Sequence, residues 1–472
     1  MVSMGLREKT MYIKGLETRS IEFIPESERR GHPAEQFPLW FSVNMMVLTT
    51  LTGSIGITIG LNVFWTSVGI ILGNFIGALF VAGHAVQGPH LGIPQMIQSR
   101  AQFGYYGAVL PLIATLIMYI GYVASNQVIA GEAIADASGI NIFFGIIFSG
   151  IIVLIITFYG FNLIQKTEKI LAVLLGIGFV GVTIMALKKG LPENALSITD
   201  FNLSAFLSLI AATAAWQLTF APYIADYTRY LPSNTSGKKL TFYTYSGLVV
   251  STTWLMILGA ILATEFRSYS SSPSKIIAGM FPESWASGVY VFVVLGVIAT
   301  NVLNLYGAFM ALTTIIDTFI KINNSLSLRL FLFLIVFISS MGIATLASGE
   351  FMIFFGNLLI VLGYLLFPWT SINLADYFFV RKGKYFIPDI YTPHGIYGAF
   401  NTKAISAYIL TLLVELPFAK TDFFTGFIYE RIGNTDYSWI IALVLPGLLY
   451  CAFMTVGKDK RSDAHSETKG GS

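Results

Sequence analysis

Twelve long apolar segments dominate this chain, each close to the ~20 residues that an α-helix needs to cross a bilayer. They run near 38–62, 65–84, 106–131, 139–160, 166–187, 204–228, 240–264, 286–318, 328–347, 351–379, 400–418 and 437–456. Of 472 residues, 55% are hydrophobic and only 11% charged, with a mean hydropathy of +0.71. A soluble domain carries roughly 25% charged residues, so this chain has too little polar surface to be wetted on all sides. It reads as an all-α, multi-pass membrane protein with the lipid bilayer as its surroundings. The formal net charge of +3 argues against nucleic acid as a partner. Cys451 is the only cysteine and reads as a packing residue. The first 36 residues are polar and lack the apolar core of a cleavable signal peptide.

Basic residues set an orientation. Of the 28 Lys and Arg residues, six (Lys188, Lys189, Arg267, Lys275, Lys420 and Arg431) fall in the loops opposite the N-terminus, and the other 22 share its side. This bias puts both termini in the cytoplasm and supports an even number of spans in the cell (plasma or inner) membrane. Residues 1–36 then form a cytoplasmic segment, 37–457 the domain with the twelve transmembrane helices and 458–472 a disordered tail. The loop "GIPQMIQSRAQFGYYG" (92–107), with glycines at both ends, reads either as a short re-entrant or interfacial piece or as a packed loop.

Two spans contain signals for a broken helix. In the first, "TTLTGSIG" (49–56) gathers glycines with hydroxyls that can bond freed backbone groups. In the sixth, Pro222 removes an N–H and clashes one turn back, near Leu218, just after Trp216, Gln217 and Thr219. Spans 1 and 6 are five apart. Two five-helix inverted repeats, each opening on a discontinuous helix, give this spacing. The expected architecture is a 5+5 inverted repeat, with repeat 1 near 37–188, repeat 2 near 203–380, and two additional helices near 399–457.

Polar side chains recur at mid-depth. Tyr122 and Asn126 are four apart and share one face of span 3, with Ser125 and Gln127 beside them. Asn301 and Asn304 lie three apart in span 8. Amide edges together with aromatic faces suit a small planar heterocycle. The alternative for each residue is interhelical hydrogen bonding, worth about 0.6 kcal/mol. Charges stay mostly near span ends: Glu132, Asp226, Glu265, Asp317 and Asp376. Asp226 and Arg229 in "ADYTRY" read as a gate or a structural pair, and His84 and Glu415 as partly buried ionisable groups. No GxSxG, P-loop or HExxH occurs. The chain reads as no enzyme, with no metal centre or organic cofactor, and transport would draw on an ion gradient.

Several stretches carry a family resemblance. "PWTSINLADYFFVRKGKY" (368–385) resembles the end of span 10 in nucleobase:cation symporter family 1. "GIPQMIQSRAQFGYYGAVLP" resembles its loop into span 3, and "ADYTRYLP" its exit from span 6. The opening "IEFIPESERRGHPAEQFPLWFSVNMMV" is most similar to the purine–cytosine permease branch. The resemblance implies a LeuT-like fold with twelve transmembrane helices, alternating access, and uptake of a nucleobase or related heterocycle with Na⁺ or H⁺. It places Asn304 on the substrate-binding amide of span 8, Tyr122 where relatives usually have a stacking tryptophan, and Asn126 on the polar position one turn later. Thr49 and Thr50 fall at the binding break of span 1, and Trp216 or Phe220 on the aromatic of span 6, with Gln217 beside it. Two departures bear on function. Tyr122 is a smaller face than tryptophan, and "VIATN" holds only Thr300 where sodium-coupled relatives place two hydroxyls. Allantoin, a hydantoin, a vitamin precursor or another small solute is the alternative cargo, and a non-transporting receptor the alternative class.

Overall fold

The computed structural model describes residues 21–159, 161–322 and 325–456. Span 1 is split into α1 (Gln36–Ser42) and α2 (Val47–Thr58), and span 2 is α3 (Val63–Ala85). A short helix, α4 (Gln95–Phe103), precedes span 3, α5 (Val109–Ser138). Spans 4 and 5 are α6 (Ile142–Tyr159) and α7 (Phe161–Lys189). Span 6 divides into α8 (Leu203–Leu218) and α9 (Ile224–Thr228), followed by span 7, α10 (Gly237–Glu265), and the short α11 (Pro273–Gly279). Spans 8 to 12 are α12 (Ala286–Phe319), α13 (Leu326–Ala347), α14 (Phe351–Ala375), α15 (Thr402–Glu415) and α16 (Ser438–Val456). Among the described residues, seven helical stretches are long and apolar enough to cross a membrane unaided, or eight if the bent α1–α2 pair counts as one. One of the seven, Leu326–Val380, holds two of the expected spans. Shorter helices such as the 14-residue α15 depend on their neighbours.

Local chemistry starts several of these helices. Asn62, Asn202 and Ser325 accept backbone N–H groups of Trp65, Ala205 and Leu328 through their side chains. Each satisfies one donor that a helix start leaves orphaned. The 92–107 stretch folds as α4, buried along its length, and is therefore more than a loop. Gly92 (φ 67°) and Gly104 (φ 85°) flank it in backbone conformations that favour glycine.

The span 6 break lies where Pro222 predicts it, since α8 ends at Leu218. The span 1 break does not lie in 49–56. It falls at Val43–Met46, where α1 and α2 meet at 67°. Thr50, Thr52 and Ser54 donate to the carbonyls of Val47, Leu48 and Leu51 at 2.6–2.9 Å, so their hydroxyls are satisfied inside a continuous helix. Gly53 serves contact, not flexibility. A Cβ there would stand 1.8 Å from Met256 O on α10. In return, a Cβ on Gly259 of α10 would stand 1.7 Å from Thr50 O.

The matching seam joins α3 to α8. Cβ atoms at Gly73 and Gly77 would stand 2.7 Å from Ile210 O and from Ala214 O respectively. Span 1 thus packs on span 7, while span 6 packs on span 2. Each broken helix is held by the second helix of the other repeat, through small residues that let backbones approach.

Candidate functional site

Aromatic rings gather around both breaks. Tyr122 of α5 meets Trp216 of α8 edge to face, with centroids 5.6 Å apart. Phe220, in the span 6 break, stands 6.5 Å from Trp216 and 5.9 Å from Trp40 of α1. Thr219 donates to the Tyr122 hydroxyl (3.3 Å) and to Trp216 O (2.6 Å). Tyr122, Trp216 and Phe220 therefore form one buried group, so the two alternatives for span 6 lie side by side, and Trp40 belongs with them.

Asn44 connects the two breaks. Its Oδ1 accepts the Trp216 indole N–H (3.1 Å), and its Nδ2 donates to Trp40 O (3.0 Å) and Ser251 Oγ (3.1 Å). Thr49 donates to Asn44 O at 2.7 Å. Thr50 shares a short hydrogen bond with the Tyr269 hydroxyl, which reaches it from the segment before α11. Both threonines lie in the first turn of α2, directly after the break.

The two amides of α12 have different surroundings. Asn301 accepts from Asn126 Nδ2 (3.0 Å) and donates to Val123 O (3.1 Å), so it fastens α12 to α5. Asn304 is 8% exposed, and its side chain makes no hydrogen bond to any described residue. One turn further along, Gly307 lets the Tyr119 ring of α5 against the α12 backbone, where a Cβ would stand 2.3 Å from the ring. Asn304 thus lies on the α12 face toward α5. Asn126 Oδ1 is also buried and unbonded. A buried amide without a protein partner is expensive in hydrocarbon. It is a natural place for a ligand with its own donors and acceptors.

The remaining candidates have other surroundings. Gln217 is held by α3 and α10, donating to Asn74 Oδ1 (3.0 Å) and Thr252 Oγ1 (2.7 Å). Thr300 donates to Gly296 O (3.2 Å) and lines a cleft shared with Trp40, Ser42, Val43 and Tyr223. Asp226 accepts the Gln95 N–H (2.8 Å) at the start of α4, where an anion suits a helix N-terminus. Arg229 reaches Asp226 O (3.3 Å) and Glu22 O (3.1 Å).

A second polar cluster had no counterpart in the sequence reading beyond His84 and Asp376. His84 stacks on Trp369 at 5.0 Å, and Gln95 bonds its Nδ1 at 3.1 Å. Gln87 and Gln102 join it to Asn373 of α14. Buried Asp376 accepts from Gln102, Tyr385 and Tyr450 at 2.7–3.0 Å, and Arg381 lies 3.2 Å away. The repeated glutamines of "GIPQMIQSRAQFGYYG" were the available signal, because amides in a buried helix need partners.

Two broken helices that meet at neutral amides and edge-to-face rings, inside a 5+5 inverted repeat, define a secondary transporter of LeuT-like fold. The chain belongs to the family described as "Permease for cytosine/purines, uracil, thiamine, allantoin", whose profile matches residues 23–442. YxlA of Bacillus subtilis, which bears the name of a purine–cytosine permease, is 39% identical over 95% of this chain and 98% of its own. The purine-cytosine permease FCY2 of Saccharomyces cerevisiae is 26% identical over 78% of this chain and 72% of its own. Among solved structures, Mhp1, a nucleobase-cation-symport-1 family transporter in a closed conformation with bromovinylhydantoin bound, superposes with a TM-score of 0.74. It is 19% identical and covers 94% of this chain and 96% of its own. The inward-facing conformation of Mhp1 gives 0.75 at 18% identity, over 94% and 95% of the two chains.

Proposed function

We propose that this permease imports a nucleobase of the cytosine or purine class across the cell membrane by cation symport with alternating access. Both termini face the cytoplasm, as the Lys and Arg distribution favours. Residues near 37–188 and 203–380 act as the inverted repeats, and the helices near 399–457 flank them. The base stacks among Tyr122, Trp216 and Phe220, and Asn304 and Asn126 read its edge. Thr49 and Thr50 shape the site at the span 1 break. Gln217 supports Trp216 from behind. Asp226 and Arg229 secure the cytoplasmic end.

The observation that carries this reading is Asn304, whose side-chain amide, 8% of the residue still open, makes no hydrogen bond to a described residue on the face toward α5. A lactam-like ring edge offers the donor and acceptor it needs. The coupling cation is H⁺ or Na⁺. For Na⁺, Thr300 on α12 would be a ligand, together with carbonyls freed at the nearby span 1 break.

The test is a thermal-shift screen of cytosine, purines, allantoin, hydantoins and pyridoxine, with and without Na⁺, followed by uptake of the ligand that stabilises most. Cytosine or a purine should raise the melting temperature in wild type, and less so in Asn304→Ala. Stabilisation by pyridoxine alone would favour the vitamin reading, which two observations motivate: Tyr122, a smaller face, and 26% identity to the vitamin B6 transporter TPN1 of Saccharomyces cerevisiae over 76% of this chain and 64% of that protein. Binding without accumulation in proteoliposomes would favour a receptor.

A further inference from the structure

We propose that Glu132 takes up the coupling proton, and that Tyr269 and Thr50 link it to the substrate site. The inference rests on the symport reading above and names its ion.

Glu132 stands on α5, the helix that also bears Tyr122 and Asn126, six residues beyond Asn126. At ~1.5 Å per residue, that is roughly 9 Å toward the face away from the N-terminus. Its Oε1 is buried and has no hydrogen-bond partner. Glu132 is half-buried, but this oxygen has lost water with nothing in exchange, and a proton lowers that cost by cancelling the charge. The step is a simple association, in which carboxylate and proton give the neutral acid. The reverse step releases the proton once the site opens to the other side.

The charged and titratable neighbours can be named helix by helix. On α5 itself, Asp136 lies one turn outward, within reach of Lys275 on α11. Tyr290 of α12 and Tyr269 both lie within electrostatic reach of Glu132. Asp317 is at the opposite end of α12, where it caps Ile322 N. Arg329 of α13 lies over Phe309 and Phe333, Tyr364 of α14 donates to Asp436, and Arg100 of α4 reaches Thr318. Neither α2 nor the described side chains of α6 include a titratable group. No cation therefore pairs directly with Glu132 among the described residues. Lys275 acts on Asp136.

The route inward is short. Tyr269 feels the charge on Glu132 and bonds the Thr50 hydroxyl, which also donates to Val47 O at 2.6 Å beside the span 1 break. On this proposal a change in the Glu132 charge reaches the first turn of α2 through the Tyr269–Thr50 hydrogen bond. Other buried carboxylates lack this connection. Glu265 stands near Lys189, and Glu415 lies on α15, outside the ten-helix core. Thr300 is the one hydroxyl in "VIATN", and a single hydroxyl is a sparse start for the oxygen shell a hard cation takes.

The experiment compares wild type, Glu132→Gln and Tyr269→Phe in proteoliposomes with labelled cytosine. An imposed gradient of about one pH unit supports roughly tenfold accumulation at one proton per substrate. Wild type should accumulate under this gradient, and a sodium gradient should add nothing. Glu132→Gln should lose accumulation completely while retaining cytosine exchange at equal concentrations, which also shows that it is folded. Tyr269→Phe should slow proton-driven accumulation and leave exchange unchanged. Infrared difference spectra between acid and alkaline pH, taken without substrate, should show a protonated-carboxyl band that Glu132→Gln removes. Retention of the band and of proton-driven accumulation in Glu132→Gln overturns the proposal, as does accumulation driven by sodium alone. If wild type neither binds nor moves cytosine, the substrate assignment fails, and the infrared band still decides the role of Glu132.

Discussion

Asn126 donates to Asn301 across α5 and α12 at 3.0 Å, and this one bond separates the two amides of "ATNVLNLYGA". Asn301 is engaged by the protein, while Asn304 is not.

The two alanine variants should therefore fail in opposite ways. Asn304→Ala removes a group with no protein partner, so the melting temperature without substrate should hold. Substrate affinity should fall by about 1–3 kcal/mol, roughly 5- to 150-fold in Kd. Asn301→Ala leaves Asn126 Nδ2 unpaired, removes the second bond to the helical carbonyl of Val123, and should lower stability by a similar amount. Calorimetric binding and thermal melts on both proteins decide this. Equal loss of stability in the two variants would refute the distinction.

The glycine seams make a steric prediction. Gly53→Ala and Gly259→Ala each drive a methyl into the facing backbone, at 1.8 and 1.7 Å, and backbone cannot rotate away. Each should destabilise the protein by about 1–3 kcal/mol or prevent its recovery from the membrane. Gly342→Ala, where a Cβ meets nothing within 4 Å, is the control and should be neutral or slightly stabilising. Fluorescence-detected size exclusion after a heat step ranks all three.

Asp376 should be among the costliest polar positions to truncate. Its carboxylate receives Gln102, Tyr385 and Tyr450, with Arg381 at 3.2 Å. Asp376→Ala leaves the guanidinium without its counter-charge, a change worth about 3–5 kcal/mol. A double variant, Asp376→Ala with Arg381→Met, should recover part of that loss in thermal melts. No recovery would mean that the tyrosine and glutamine bonds dominate.

Asp436, between α15 and α16, gives a pH dependence. Burial pushes its carboxyl up from 3.8, opposed by hydrogen bonds from Ser438, Tyr364 and Lys420. A carboxyl with a raised folded-state value binds its proton more tightly when folded. Its stabilising contribution is present at acid pH and is lost as pH rises through the raised value. The melting temperature should therefore gain an acid-side increment that Asp436→Asn abolishes. An unchanged pH profile in the variant would remove Asp436 as the source.

The sequence disclosed the helical segments because lipid forces each span to carry a long apolar run. It disclosed the span 6 break because proline enforces one. The span 1 break was misplaced because threonine and serine can either free a helix or bond within it. Thr50, Thr52 and Ser54 bond within it. Asn44 was passed over although it obeys the rule that singled out Asn301 and Asn304, an amide in an apolar span. Gln217 was counted with Trp216 by adjacency, yet neighbours on a helix point about 100° apart, and it is held by α3 and α10. The glutamine cluster was invisible because its partners, Asn373 and Asp376, lie some 270 to 290 positions away.

Residues 21–30 bond mainly through backbone carbonyls: Ile24 N to Gly92 O, Arg29 to Pro89 O, Arg30 N to Tyr230 O, and Ile21 O to the Tyr391 hydroxyl. Their partners lie in segments translated much later, in the last case 370 positions on. During synthesis this strap must wait until spans 2 and 6 and the link after span 10 have been inserted. The earliest described stretch to leave the ribosome is thus among the last to dock, and its closure marks a chain whose first ten spans are already in place.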